Sequence, residues 1–273
     1  MKLATLRLPR GTTAARVDGE YAVEIGAPDV GALLAQPGWQ EPAAAADGPR
    51  HPLAGADLAP VVPRPGKIIC VGLNYRTHIL EMGRELPAYP TLFAKFADAL
   101  IGPYDDIALP AVSEAMDWEA ELAVVIGTEV RHASPEQAQA AIAGYSVLND
   151  VTARDYQNRT LQWLQGKTFE STTPFGPYLV TPDELDGALI MRCEIDGEVV
   201  QEADTADLVF PPAELIAYIS KIITLRPGDV IATGTPGGVG HARKPPRYLA
   251  DGDKVVTRIA GVGELVNVAR RDG

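Results

Sequence analysis

Apolar and polar residues alternate with a period of two along the first twenty-six positions, interrupted at Arg10-Gly11 and Asp18-Gly19. Successive strand side chains point to opposite faces, so this pattern predicts short strands joined by tight turns. The alternation then lapses. From about Pro37 to Gly66 the chain is rich in Ala, Pro and Gly and ends Val61-Val62-Pro63-Arg64-Pro65-Gly66, a composition that suits a linker. A boundary near residue 64 is expected, with a small N-terminal domain over 1–63 and a larger one over 64–273.

Beyond it, Lys67–Gly72 predicts a short buried strand leading into residues 74–83, where His78 and Glu81 share one face of a helical turn. Asp117–Ile126 predicts a second strand. Ser134-Pro135-Glu136-Gln137 supplies an N-cap, a proline at the first helical position and a capping-box glutamine, predicting a helix to about Gly144. A strand should follow and end at Asp150. Thr181-Pro182-Asp183-Glu184 repeats the capping signal, Pro211–Leu225 predicts a helix, and Arg226-Pro-Gly-Asp229 turns into a strand over Val230–Thr233. Many strands with a few scattered helices point to an α+β fold rather than a regular βαβ series.

Composition narrows the function classes. The 273 residues are 46% hydrophobic and carry a net charge of −12, with no basic run, which excludes a polyanion-binding surface of the usual kind. No apolar stretch approaches the roughly 20 residues of a membrane helix. Met1 to Gly11 lacks the apolar block of a signal peptide, so a cytoplasmic protein is expected. Cys70 and Cys193, far apart, make neither a disulfide framework nor a CxxC metal site; Cys70 should be core.

The strand around residue 120 changes the picture most. Met116, Trp118, Ala120, Leu122, Val124 and Ile126 form an apolar face, while the other face carries Asp117, Glu119 and Glu121 before turning to Ala123 and Val125. Carboxylates two apart on a strand lie about 6.8 Å from each other and repel by about 2.4 kcal/mol at an effective dielectric near 20. From Phe96 to Val130 there are eight acidic residues and no Lys, Arg or His. Either water screens a solvated face, or a cation or a sequence-distant base compensates. Asp150, a third carboxylate at a strand end, favours a cation. Three carboxylates without neighbouring His or Cys favour a hard ion, Mg²⁺ or Mn²⁺ before Zn²⁺. The Gly-rich run Thr233–Gly240 lacks the Lys-Ser/Thr of a phosphate loop, so a tight substrate-lining turn is expected.

Five segments together resemble the fumarylacetoacetate hydrolase family: Gly72-Leu-Asn-Tyr75-Arg-Thr-His78, Asp117-Trp-Glu119-Ala-Glu121-Leu, Asn149-Asp150-Val-Thr-Ala-Arg154-Asp155, Lys167-Thr-Phe169 and Gly228-Asp-Val-Ile-Ala-Thr-Gly-Thr-Pro236. They cover roughly Lys67 to Val268 in the family's order. The resemblance implies a mixed β-roll preceded by a small N-terminal domain, a homodimer, and a Mg²⁺ or Mn²⁺ ion held by Glu119, Glu121 and Asp150. It implies that His78 and Glu81 activate water on a covering segment, that Lys167 sits beside the metal, and that Arg154, Gln157 and Thr235 contact substrate. His51, His132 and His241 receive no role.

The expected reaction is hydrolysis of a carbon–carbon bond in a 2,4-dioxo acid such as an acylpyruvate. The metal would polarise the carbonyl and His78 would take a proton from water. Decarboxylation or isomerisation of a 2-oxo acid (oxaloacetate or hydroxymuconate type) on the same metal site is the alternative. A non-catalytic metal-stabilised or ligand-sensing protein is the competing class. Specificity should lie in the covering segment and in the loop around Asn158–Gln165.

Overall fold

The computed structural model describes residues 1–81, 83–187 and 189–272. Its backbone is a mixed assembly of three sheets. The eleven-stranded main sheet runs, edge to edge, Arg50–Pro52, Tyr21–Glu24, Gly11–Asp18, Lys2–Leu8, Thr173–Val180, Ile142–Asn149, Ala120–Ile126, Val230–Ala232, Ile68–Gly72 and Thr91–Lys95, with Leu100–Ile101 parallel to Thr173–Val180. Five strands form a second sheet: Glu198–Asp204, Ile190–Ile195, Lys254–Ile259, Gly263–Arg271 and Ile107–Leu109. Met116–Asp117 pairs with Thr152–Ala153 as a two-stranded piece. This is the α+β, mixed β-roll architecture expected from the sequence.

The two sheets meet over a core in which Trp118 is fully buried among Met116, Val147, Cys193, Ile259 and Leu265. The opposite face of the main sheet packs Ala123 and Val125 against Leu33, Trp39, Val61 and Val62 from the N-terminal region. Val124 and Ile126 turn toward Leu215, Ile216 and Ile219 of the helix Pro212–Ile222. Hence Ala120–Ile126 is buried along its whole length. A strand with apolar cover on both faces leaves its carboxylates only one outlet, at the end where the apolar cover stops.

Several local expectations change in the folded chain. The strands of the first twenty-six residues and their turns are as expected: Lys2–Leu8, Gly11–Asp18 and Tyr21–Glu24. The stretch expected as linker is instead packed. It holds the helix Gln40–Ala44, the strand Arg50–Pro52 and the buried Leu58, Val61 and Val62. The main sheet also runs across residue 64, since Lys2 pairs with Val180 and Leu3 with Leu179. The Ser134 capping box forms, but its helix spans only Pro135–Ala140, because the strand begins at Ile142. Thr181 caps nothing, its hydroxyl being occupied by the first residue, and only a 3-10 turn follows at Pro182–Glu184. The predicted strand Asp117–Ile126 is interrupted at Trp118 and Glu119, where the backbone leaves one sheet for another.

Candidate metal centre and active-site cleft

The interruption at Trp118 and Glu119 positions the site. Before it, Asp117 is fully buried, and its carboxylate accepts hydrogen bonds from the backbone N–H groups of Trp118 (2.9 Å), Gly240 (2.7 Å) and His241 (3.0 Å). After it, Glu119 and Glu121 point the same way. Asp150 follows the paired strand Ile142–Asn149, and Asn149 fixes the junction: its Oδ1 accepts from Glu119 N at 2.9 Å while the Asp150 N–H donates to Glu119 O at 2.8 Å. One carboxylate oxygen from each of Glu119, Glu121 and Asp150 lies within 4.8 Å of the others. These three residues are only 7%, 1% and 0% exposed.

The counter-charges come from distant parts of the chain. Lys167 Nζ lies 2.7 Å from Glu119 and 2.8 Å from Asp150. Lys95 Nζ lies 2.6 Å from the other Asp150 oxygen. Arg154 spans Asp117 at 2.8 Å and Glu119 at 2.7 Å, and also donates to Gln157 at 2.9 Å. Burial pushes the Asp150 carboxyl up, but Lys167 and Lys95 outweigh it and hold the group below its ordinary range. Burial lowers the Lys167 ammonium, yet Asp150 and Glu119 more than reverse that.

Glu121 has no such partner. Among the described residues its one hydrogen bond is from Gly234 N at 2.8 Å, and burial, then Asp150, then Glu119 push its carboxyl well above the ordinary range. With Asp117 included, four carboxylates face three basic groups, so one carboxylate, Glu121, has no counter-charge unless a cation binds. A divalent cation would supply it and leave an excess positive charge suited to an anionic ligand. Three converging carboxylates with this deficit fit a hard, oxygen-preferring ion such as Mg²⁺ or Mn²⁺.

Above the cluster is a cleft of about 280 Å³. Glu119 alone of the three carboxylates lines it; Glu121 and Asp150 lie behind. His78, Arg154, Gln157, Lys167 and Thr235 also line it, so five of the six residues expected to catalyse or bind converge there. Glu81, the sixth, does not. It lines a neighbouring groove of about 420 Å³ with Tyr75, Asp204 and Asp207, and His78 borders both spaces. Nor does His78 hydrogen-bond Glu81 among the described residues. The two groups are close, since a side chain at Gly237 would meet His78 Nδ1 at 3.1 Å and Glu81 Oε2 at 3.7 Å. Burial lowers the half-buried imidazole below its usual 6.5, outweighing the nearby Glu81 carboxylate.

Other residues of the wall were given no individual role by sequence reasoning, which named the 158–165 loop only as a whole. His241, given no role, lines the cleft because Asp117 pins its backbone N–H. Gln201 holds Thr235 in place through a 2.9 Å hydrogen bond to its hydroxyl. Trp163 from the 158–165 loop packs edge-on against Phe93 at 5.4 Å, and Phe93 covers the Lys167 ammonium at 5.0 Å. Leu73 takes a left-handed backbone, φ 56°, at the turn that feeds the His78 helix Arg76–Glu81. Asn74 then fastens that turn by donating to Thr233 O at 2.9 Å.

Residues 67–270 match the family described as fumarylacetoacetate (FAA) hydrolase C-terminal. The chain belongs to the fumarylacetoacetate hydrolase family. Within it, the chain is similar to the human mitochondrial oxaloacetate tautomerase FAHD2A, with 48% identity over 214 residues, 77% of this chain and 68% of that protein. Among solved structures it resembles a fumarylacetoacetate hydrolase from Exiguobacterium antarcticum, with a TM-score of 0.90, 33% identity and full coverage of both chains. It also resembles a maleylpyruvate hydrolase from Sphingobium solved with manganese(II) and pyruvate, with a TM-score of 0.81, 30% identity and full coverage of both chains. The fold of this fumarylacetoacetate hydrolase family member, and its being an enzyme, rest on these likenesses together with the buried carboxylate cluster.

Proposed function

We propose that the protein is a metal-dependent tautomerase of a 2-oxo dicarboxylic acid of the oxaloacetate type. The observation that carries this reading is His78, half-buried and without a hydrogen-bond partner among the described residues, on the wall of the cleft that Glu119 also lines. The identity to the oxaloacetate tautomerase supports the choice of substrate class.

Glu119, Glu121 and Asp150 would hold the ion. When bound, it supplies Lewis-acid polarisation of the 2-oxo carbonyl. His78 Nδ1 lies on the Gly237 side of the ring, and the imidazole lines the cleft. In the keto-to-enol direction the neutral imidazole takes a proton from C3. The C–H electron pair becomes the C2–C3 double bond, and the 2-oxo oxygen gathers negative charge beside Lys167. A proton returned to that oxygen completes the enol, and the reverse sequence regenerates the keto acid. Arg154, Gln157 and Thr235 position the substrate.

Hydrolysis of a 2,4-dioxo acid by water activated at His78 and Glu81 is the second reading. It is favoured by the likeness to the maleylpyruvate hydrolase. It demands that Glu81 turn from its groove to His78, and the proton-transfer reading does not. The test follows the enol absorbance of oxaloacetate with Mg²⁺, with Mn²⁺ and with EDTA, while pyruvate is assayed separately. Metal-dependent acceleration of enol loss without pyruvate supports the tautomerase. Metal-dependent pyruvate from an acylpyruvate, with oxaloacetate enol untouched, would replace it with the hydrolase.

A further inference from the structure

Of the polar groups lining the cleft, most are engaged by the protein itself. Lys167 and Arg154 are held by carboxylates, Gln157 by Arg154, Thr235 by Gln201, and His241 by the Tyr248 hydroxyl at 2.9 Å. Among the described residues the exceptions are His78, the Trp163 indole N–H and Arg84, and of these Arg84 is the one permanent cation. It lines the cleft, and among the described residues it has no ion-pair partner. Its positive charge is near enough to His78 to help lower that imidazole.

The backbone places Arg84 there. Gly83 N–H donates to Leu80 O at 2.9 Å and Arg84 N–H to Ile79 O at 3.2 Å. Gly83 takes φ +67°, the left-handed backbone a glycine accepts without strain. These paired bonds are the Schellman termination of a helix, and they fix the residue after the glycine against the last turn. Arg84 therefore stands at the cleft wall just past the end of the helix that carries His78.

We propose that Arg84 is the residue that selects a dicarboxylate, by pairing with the substrate carboxylate distal to the 2-oxo acid end. This rests on the reading above that the substrate is a 2-oxo dicarboxylic acid. Entering a partly enclosed cleft strips water from that second carboxylate, which then needs a charged partner. Every other cation on the wall is committed to the carboxylate cluster, and a guanidinium offers two parallel N–H donors to one carboxylate.

The test compares wild type, Arg84→Gln and Arg84→Lys, loaded with Mn²⁺, in oxaloacetate turnover and in inhibition by oxalate. Oxalate has the chelating pair of oxygens and no distal carboxylate. Arg84→Gln should raise KM for oxaloacetate by about 10- to 30-fold, the loss falling on KM more than on kcat, with Arg84→Lys between the two. Its inhibition constant for oxalate should move by less than about threefold. Since Arg84 is exposed, all three proteins should melt alike. An unchanged KM, or an equal loss of oxalate affinity, overturns the assignment of Arg84 and leaves the tautomerase reading standing. No oxaloacetate turnover by wild type overturns both.

Discussion

An ionised carboxylate buried without a counter-charge is costly, and Glu121 is the clearest case in this chain. Its value lies above the ordinary 4.5, so the native state keeps this proton to higher pH than the unfolded chain does. Metal-free stability is therefore lost from this group as pH rises above about 4.5. Glu121→Gln, which keeps the acceptor for Gly234 N–H, should leave the metal-free protein at least as stable as wild type at neutral pH. Melting with and without EDTA checks this, and a metal-free variant that melts several degrees lower would contradict it. His78 gives the second residue-scale prediction. Burial holds it below 6.5, and a bound cation would lower it further, so the neutral base persists into mildly acid solution. The acid limb of the kcat/KM profile should lie below pH 6.5, and His78→Gln should abolish that limb with most of the activity. An acid limb above 6.5 would show that another group titrates.

At the scale of elements, the Thr233–Gly240 loop closes the site through backbone rather than side chains. Gly234 takes φ +101°, donates its N–H to Glu121, and would place a Cβ 2.9 Å from Val71 O. Gly234→Ala should thus cost about 1–3 kcal/mol in a denaturant melt and weaken metal binding in parallel. Full metal affinity in that variant would mean the loop does not shape the site. The early strands, the Ser134 capping box and the helix Pro212–Ile222 were legible because period and caps are local signals. The linker reading failed for a physical reason: small, Pro-rich segments lack periodicity even when tertiary contacts order them, as Trp39, Val61 and Val62 do here. The break after Asp117 was illegible because alternation continues through it, while the sheet partner changes.

Over the whole molecule, the site gathers groups that sequence order separates. Glu119 and Glu121 share a strand and were readable together, but their counter-charges arrive from Lys95, Arg154 and Lys167. Lys95 ends an apolar strand one residue before the acid-rich window, and nothing local distinguishes it from a surface lysine. His241 reaches the cleft only because the buried Asp117 ties down its turn. Lys95, Lys167 and Arg154 pair with Glu119 and Asp150 without an ion, so EDTA should lower the melting temperature by the linkage expected for a lost ligand and leave a folded protein. The most direct test of the metal centre is a Mn²⁺ titration of EDTA-treated protein followed by electron paramagnetic resonance, with Glu121→Gln in parallel. Wild type should take up one ion per chain and regain oxaloacetate tautomerase activity in proportion, and the variant should do neither. Wild-type protein that binds no Mn²⁺, or a variant that binds it equally well, would contradict the account.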